Sequence, residues 1–174
     1  IVEIGASLVS FSGGKGIRGP QSSGLVVGKR EFVEAVCLNS NPHSAVGRGM
    51  KVGKEEIMGL LTAVHIFLAR DERLELAEWH GRVTHIARAV QSIDGVHAEV
   101  RSKGQQASPD IVPRAYITVA DSHGKTLRQA ITELRAGEPP IVARQDGGAI
   151  VIDPMTLMPG EEEIIARRLI EVMT

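Results

Sequence analysis

A short glycine-rich stretch near the start of the chain holds the residues best suited to chemistry. Residues 11–24 have the sequence FSGGKGIRGPQSSG and follow an apolar run. Glycine is used where the backbone takes unusual angles or where another group approaches it closely. A flat or phosphorylated ligand could therefore lie against this loop within reach of Lys15. The alternative is an ordinary turn whose lysine points into water.

Two nucleotide-binding motifs come close to this stretch without fitting it. Gly14, Gly16 and Gly19 satisfy the dinucleotide pattern G-x-G-x-x-G, and Glu34 lies twenty positions after the first of them. In the dinucleotide fold the last glycine opens a helix, whereas here residues 20–24 lead into a second predicted strand. A P-loop needs Ser or Thr directly after its lysine, and this chain has glycine there. The sequence therefore disfavours nucleotide binding.

Pyridoxal phosphate chemistry suits the same residues better. This cofactor is held on a lysine as a Schiff base, and it needs room for its ring and small donors for its phosphate. The Ser12 hydroxyl, three residues before Lys15, could reach a phosphate oxygen, while Gly13 and Gly14 would leave space for the ring. The sequence predicts Lys15 as the catalytic residue. The predicted cofactor-binding residues are Lys15, Ser12, Gly14 and Gln21.

The motif also carries a family resemblance. Residues 7–64, which include LVSFSGGKGIRGPQSSGLVVGKREFVEAV, closely resemble pyridoxal-phosphate enzymes related to bacterial selenocysteine synthase, the seryl-tRNA selenium transferase. Within that group the segment looks most like the branch that includes D-glucosaminate-6-phosphate ammonia-lyase. The segment GAIVIDPMTLMPGEEEII resembles the closing hairpin and helix of the family more weakly. Members of the family often carry arginine where this chain has Met155.

The resemblance implies an α/β fold, namely the C-terminal portion of a fold-type I pyridoxal-phosphate transferase. Residues 1–60 would end a large domain with a mostly parallel sheet, residues 61–95 would form a linking helix, and residues 96–174 would form a small α/β domain. Family members are about twice as long as this chain. The residues that hold the pyridine nitrogen, the ring face and most of the phosphate are therefore expected outside it. The resemblance also implies a homo-oligomer whose site is shared between subunits.

Hydrophobic periodicity predicts alternating strands and helices that agree with this architecture. A buried strand is predicted at residues 8–11, and it should need strands beyond the one at 24–27 to complete a sheet. A long helical pattern begins at Lys54 and is interrupted near Arg70. The other predicted elements are helices at 30–38 and 126–135, strands at 96–100 and 116–120, a hairpin pairing 141–144 with 149–153, and a last helix after Gly160.

Candidate substrate-binding residues are positively charged or ionisable. Arg18 lies close to Lys15 in sequence, and His43, Arg48 and Lys51 share a long loop over residues 39–53, where loop length itself favours function. Arg114 precedes a predicted strand and could bind a carboxylate. For each residue an ordinary role remains open: a solvated side chain, a surface arginine or a residue that only shapes its loop.

Composition restricts the substrate class. The chain of 174 residues has 20 Lys and Arg against 21 Asp and Glu, so it lacks the basic footprint of a nucleic-acid binder. The predicted substrate is therefore a small anionic molecule, namely a phosphorylated amino acid or an amino-sugar acid, and not tRNA. The single cysteine, Cys37, fits a reducing cytosol, and no segment reads as a membrane span or signal peptide, so a cytoplasmic location is predicted. The histidines show no metal-ligand spacing, and no metal is predicted.

The predicted function is a pyridoxal-phosphate lyase of the ammonia-lyase or dehydratase type. In such an enzyme the released Lys15 amine would act as general base on the substrate Cα proton. One alternative is a transferase of the seryl-tRNA selenium transferase or aminotransferase type. The other is a non-catalytic fragment that serves in assembly.

Overall fold

A computed structural model describes residues 4–102, 112–120 and 124–174 as a mixed α/β chain. The chain divides into an N-terminal unit, Ile1–Arg70, and a C-terminal unit, Asp71–Thr174. The N-terminal unit contains β1 (Leu8–Ser12), β2 (Gly24–Gly28), α1 (Arg30–Leu38) and α2 (Lys54–Ala69), with a short 3-10 helix at Arg48–Met50. The C-terminal unit contains α3 (Glu72–Val90), β3 (Val96–Arg101), β4 (Arg114–Val119), α4 (Leu127–Ala136), β5 (Arg144–Asp146), β6 (Ala149–Ile152) and α5 (Glu161–Met173).

The N-terminal unit is built around one antiparallel hairpin. β1 and β2 pair from Leu8 opposite Gly28 to Ser12 opposite Gly24. The mostly parallel sheet expected from the resemblance is therefore not found among the described residues of this unit. The hairpin places the loop of residues 13–23 at its closed end.

The strand predicted to be buried is largely exposed. Phe11 in β1 is 41% exposed and Val26 in β2 is 40% exposed. Among the described residues of this unit, only Leu60 and Ala63 are buried apolar side chains. A strand becomes buried only when both faces and both edges are covered, and two strands alone cannot provide that cover.

The C-terminal unit has an extensive core. Its four strands form one antiparallel sheet in the order β3-β4-β6-β5. Alternate side chains such as Ala98, Ile117 and Ile150 share the face that is covered by α3, α4 and α5. Ile86 of α3 and Leu169 of α5 are completely buried on this face. The apolar residues that recur at every second position in the strands and about every 3.6 positions in the helices pack together in this core.

Local sequence determines where these helices begin. The Asp71 carboxylate accepts from the backbone N–H groups of Arg73 and Leu74, which caps α3. Thr126 and Gln129 form a reciprocal capping box at the start of α4. The interruption predicted near Arg70 is therefore a true helix boundary. α3 belongs to the C-terminal unit, so the segment proposed as one linking helix over 61–95 consists of two helices.

The predicted strand over 141–144 lies later in the chain, at β5. Gly147 and Gly148 both have positive φ angles, of 54° and 77°, and form a two-residue hairpin turn. This turn pairs Asp146 directly with Ala149. Because the ladder starts at the turn, the strand is displaced toward it.

None of the described helices has the length and apolar character needed to cross a membrane.

Candidate active site around Lys15

Lys15 lies in the loop that joins β1 to β2, and backbone hydrogen bonds close the neck of this loop. The Gly13 N–H donates to the Ser23 carbonyl at 2.9 Å, directly beyond the last strand pair. The Gly19 N–H donates to the Gly13 carbonyl at 2.8 Å. The Ser23 hydroxyl in turn donates to the Pro20 carbonyl at 2.6 Å. The loop is therefore a closed structure and not an open tether.

Both peptide groups that flank the Lys15 Cα are held within the loop. The Gln21 side-chain amide donates to the Gly14 carbonyl at 3.1 Å. The Arg18 N–H donates to the Lys15 carbonyl at 2.8 Å. The Lys15 residue itself is exposed. The loop thus holds the backbone of Lys15 while its side chain faces outward.

The glycines on the N-terminal side of Lys15 do not leave the predicted room for a cofactor ring. A Cβ on Gly14 would lie 2.6 Å from the Gln21 Oε1 and 2.7 Å from its Cα. A Cβ on Gly13 would lie 2.9 Å from the Leu60 side chain. These glycines allow the two sides of the loop to pack together. The open space is at Gly16, where an added Cβ would meet nothing within 4 Å.

Helix α2 supports the underside of this loop. Leu60 and Ala63, the two buried apolar residues among those described in this unit, lie against Gly19 of the loop. A Cβ on Gly59 would lie 2.7 Å from the Pro20 ring, so this helix position also favours glycine. The core of the N-terminal unit, small as it is, therefore lies directly beneath the loop that carries Lys15.

Arg18 has an unusual backbone conformation. Its φ angle is 60°, in the left-handed region that non-glycine residues seldom adopt. This conformation completes the turn whose hydrogen bond joins Arg18 to Lys15. Glycine would take the position with less strain, and the role predicted for the Arg18 side chain toward a substrate stays a prediction.

The other two predicted cofactor-binding side chains differ in placement. Ser12 ends β1 opposite Gly24 and is exposed beside the loop, which is compatible with its predicted role. Gln21 is also exposed, yet its amide is engaged by the Gly14 carbonyl of its own loop. The structure thus gives Gln21 a contact that sequence analysis did not predict.

The loop over residues 39–53 has its own internal closure. The Gly47 N–H donates to the Asn39 carbonyl at 2.8 Å. The Arg48 guanidinium donates to the Pro42 carbonyl at 2.5 Å, across the tip of the loop. His43 and Lys51 are exposed. Arg48 therefore has a bracing contact within the loop, in accord with the alternative left open by the sequence, and its role toward an anion stays a prediction.

Arg114 is paired within the C-terminal unit. Its Nε lies 2.7 Å from the Asp153 Oδ2, and its side chain is only 13% exposed. The β4–β6 register, in which Ala115 is opposite Ile152, places the two residues at the ends of neighbouring strands. Asp153 already neutralises the cation that was predicted to meet a substrate carboxylate. The contact favours a structural role for Arg114.

Sequence analysis missed two residues that shape these sites, Ser23 and Asp153. Each could have been found from strand register. An antiparallel hairpin that closes at Ser12 and Gly24 puts Ser23 opposite Gly13, and an antiparallel pair of β4 and β6 puts Asp153 opposite Arg114. The missing information was the pairing direction, which periodicity alone does not provide.

An ion pair between Arg101 and Glu99 in the C-terminal sheet shifts two pKa values. The hydrogen bond from Arg101 lowers the pKa of the Glu99 carboxyl, against a smaller opposing effect of burial. The same hydrogen bond raises the pKa of Arg101. The Arg101 guanidinium also lies over the Tyr116 ring, 4.8 Å from its centroid. In the residues that the structure describes, no group of three or more His, Cys, Asp or Glu side chains is arranged to hold a metal ion.

Comparison with known proteins assigns the chain to a family. The sequence profile of the L-seryl-tRNA selenium transferases matches residues 1–158, which include the whole Lys15 loop. The chain belongs to this family. The resemblance seen in the sequence is thereby confirmed.

The known proteins to which this chain is similar differ in chemistry. The chain is 35% identical to a Streptomyces 5'-C-glycyluridine monooxygenase-decarboxylase, over 99% of this chain and 42% of that protein. It is 29% identical to the D-glucosaminate-6-phosphate ammonia lyase of Salmonella typhimurium, over 98% of this chain and 44% of that protein. It is 26% identical to the L-seryl-tRNA(Sec) selenium transferase of Moorella thermoacetica, over 97% of this chain and 38% of that protein.

The fold agrees with these sequence matches. A solved structure of D-glucosaminate-6-phosphate ammonia-lyase superposes with a TM-score of 0.73 and 29% identity, over 99% of this chain and 45% of that one. The predicted α/β class is confirmed. The chain spans less than half the length of these relatives.

Proposed function

We propose that this chain is the lysine-bearing part of a pyridoxal-phosphate lyase of the ammonia-lyase or dehydratase type. The observation that carries the proposal is the Lys15 loop. It holds an exposed lysine between two fixed peptide groups, in a chain that belongs to the selenium transferase family. The 29% identity to an ammonia lyase over nearly the whole chain supports the choice of a lyase.

The residues of the loop fit covalent attachment of this cofactor. Lys15 is exposed, and the space beside Gly16 is open to an incoming group. Lys15 would hold the cofactor, and the Ser12 hydroxyl could donate to its phosphate. When bound, pyridoxal phosphate supplies an electron sink that makes the Cα–H bond of an amino acid acidic.

The chain's own residues would then divide the remaining work. The Lys15 amine would act as general base on the Cα proton of the substrate. Arg18 is the cation nearest to Lys15 in sequence, and its side chain would bind an anionic part of the substrate. His43, Arg48 and Lys51 would meet a second anionic group from the 39–53 loop. Arg114 is the weakest member of this set because Asp153 already pairs with it.

Charge supports a small anionic substrate. Basic and acidic residues nearly balance over the chain, so its overall charge does not favour binding of tRNA. We further propose a cytoplasmic homo-oligomer whose site is shared between subunits. The exposed apolar side chains of the N-terminal unit are consistent with a partner surface.

A second candidate is a decarboxylase that acts on an amino acid attached to a nucleoside. The 35% identity to a 5'-C-glycyluridine monooxygenase-decarboxylase favours it. The two candidates differ in what leaves the substrate, since a lyase of the first kind releases ammonia and a decarboxylase releases carbon dioxide. Assaying both products on phosphorylated amino acids, amino-sugar acids and aminoacyl nucleosides separates them.

The attachment site is tested with Lys15→Ala in the full-length protein. Wild type incubated with pyridoxal phosphate should show a visible absorbance band, and borohydride reduction should fix the cofactor on the peptide that contains Lys15. The variant should lose the band and all turnover while its circular dichroism is unchanged. Lys29→Ala, another exposed lysine of the same unit, is the matched control and should retain both. Substantial turnover in Lys15→Ala, or reduction at another lysine in wild type, would overturn the assignment.

A further inference from the structure

The Gln21 side chain lies across the peptide that joins Gly14 to Lys15. Its amide nitrogen donates to the Gly14 carbonyl, which belongs to that peptide group, at 3.1 Å. Its Oε1 and Cα would both lie under 3 Å from a Cβ on Gly14. The whole residue therefore packs against one peptide plane, the plane that sets where the Lys15 Cα–Cβ bond points.

This peptide has reason to need such a contact. Glycine reaches positive and negative φ values with similar ease, so rotation of the Gly14–Lys15 peptide encounters little steric resistance from Gly14 itself. The carbonyl of Lys15 is already held by the Arg18 N–H. The contact from Gln21 fixes the peptide on the other side, so that the orientation of the lysine is determined from both sides.

The alternative role for Gln21, a direct ligand of the cofactor, uses the same amide. The amide N–H that donates to the Gly14 carbonyl is directed at the loop. The contact that the Gln21 amide makes is therefore one to the backbone of the lysine loop.

We propose that Gln21 is a positioning residue that acts through the Gly14–Lys15 peptide and orients Lys15 for covalent attachment of an aldehyde cofactor. The role toward the cofactor rests on the proposed function, whereas the restraint on the peptide does not. The net contribution of a hydrogen bond between neutral groups corresponds to roughly a 2- to 12-fold change in an equilibrium constant. Loss of the Gln21 donor should therefore raise the population in which the Gly14–Lys15 peptide is not held by about that factor.

The test compares Gln21→Met with wild type in the full-length protein. Methionine keeps the length of the side chain and removes the donor. Gln91→Met is the matched control, because Gln91 also donates from its side-chain amide to a backbone carbonyl, that of Ala98 at 3.0 Å, in the C-terminal unit. Three quantities are measured on each protein: hydrogen exchange of loop residues 13–19, acetylation of Lys15 by limiting acetic anhydride, and the fraction of Lys15 carrying pyridoxal phosphate after borohydride reduction.

The expected pattern separates orientation from simple exposure. In Gln21→Met, loop exchange should rise and cofactor attachment should weaken, each roughly 2- to 12-fold, whereas acetylation, which requires no fixed direction, should be unchanged. Gln91→Met should leave all three quantities unchanged. Unaltered loop exchange and attachment in Gln21→Met would overturn the proposal, as would equal effects in the two variants.

The design also distinguishes this inference from the proposed function. If wild type does not take pyridoxal phosphate on Lys15, the proposed function is wrong, and hydrogen exchange alone decides whether Gln21 restrains the peptide. Gln21→Glu, of the same size and without an N–H donor, replaces the methionine variant if that one does not fold. If neither Gln21 variant folds while Gln91→Met does, Gln21 serves stability and the positioning role is rejected.

Discussion

At the scale of single residues, the loop shows how a unit with only a small core can still hold one lysine in place. The backbone of Lys15 is held by a hydrogen bond to the peptide group on each side, one from the Arg18 N–H and one from the Gln21 side-chain amide, and not by burial of the side chain. The two glycines before it are needed for close packing inside the loop, while the glycine after it leaves open space. The glycines of this motif therefore have different roles before and after Lys15.

Arg48 allows a prediction at this scale. If it binds a substrate phosphate, each charge-assisted hydrogen bond contributes ~1.5–3 kcal/mol, so Arg48→Ala in the full-length enzyme should weaken a phosphorylated substrate roughly 10- to 150-fold. Its unphosphorylated analogue should be almost unaffected. Titration of both substrates against wild type and variant provides the measurement.

The matched control for Arg48 comes from its own loop. Gly47→Ala would place a Cβ 2.5 Å from the Asn39 carbonyl and so disturb the loop without removing the guanidinium. Equal losses for both substrates in both variants would show that Arg48 serves only to brace the loop through its contact with Pro42.

At the scale of elements, sequence signals located helix ends well where a chemical cause acts locally. The predicted bounds of α1 agree with the structure, α2 begins at Lys54 as predicted, and Thr126 proves to be the cap of α4. The position of β5 was predicted wrongly, because the turn at Gly147 and Gly148 fixes the strand register and pairs Asp146 with Ala149. The burial of β1 was predicted wrongly. The apolar sequence of a strand does not show whether neighbouring strands or helices cover it. The site residues of the Lys15 loop were predictable as a motif, but their mutual contacts required the pairing direction of two strands.

The ion pair of Glu99 on β3 leads to a prediction about how stability depends on pH. Its pKa in the folded state is lowered, chiefly by the hydrogen bond from Arg101 and further by nearby positive charge on Arg101 and His97. A carboxyl with a lowered folded pKa contributes stability above its unfolded pKa, and this contribution disappears as pH falls through the folded pKa. Glu99→Gln should therefore reduce the unfolding free energy at neutral pH.

The measurement for Glu99 is urea unfolding at a series of pH values from neutral into the acid range. The difference between wild type and Glu99→Gln should shrink as the pH falls and vanish once Glu99 is protonated in both states. Glu138→Gln, at an exposed position between α4 and β5, is the control. A difference that stays constant with pH would exclude the Glu99 charge as its cause.

At the scale of the whole molecule, burial is distributed very unevenly. The C-terminal unit contains one continuous core drawn from three helices and three strands. Helix α2 of the N-terminal unit is apolar on nearly all sides, yet Ile57, Leu61 and Leu68 are 51%, 47% and 74% exposed. A helix that is hydrophobic all round is typical of a buried position. The sequence of the N-terminal unit is therefore suited to an environment with more apolar cover than its own residues supply.

The two units should consequently differ in independent folding. Residues 71–174 expressed alone should unfold cooperatively in urea and give a dispersed amide spectrum, because their core is complete within the unit. Residues 1–70 alone should not, since full burial of a side chain such as that of Leu60 gains only about 1.5–3 kcal/mol, against a backbone ordering cost of about 1–2 kcal/mol per residue. An isolated two-stranded hairpin is at best marginally stable. A folded, monomeric product from residues 1–70 would show that the exposed apolar side chains need no partner, and it would remove the main support for a site shared between subunits.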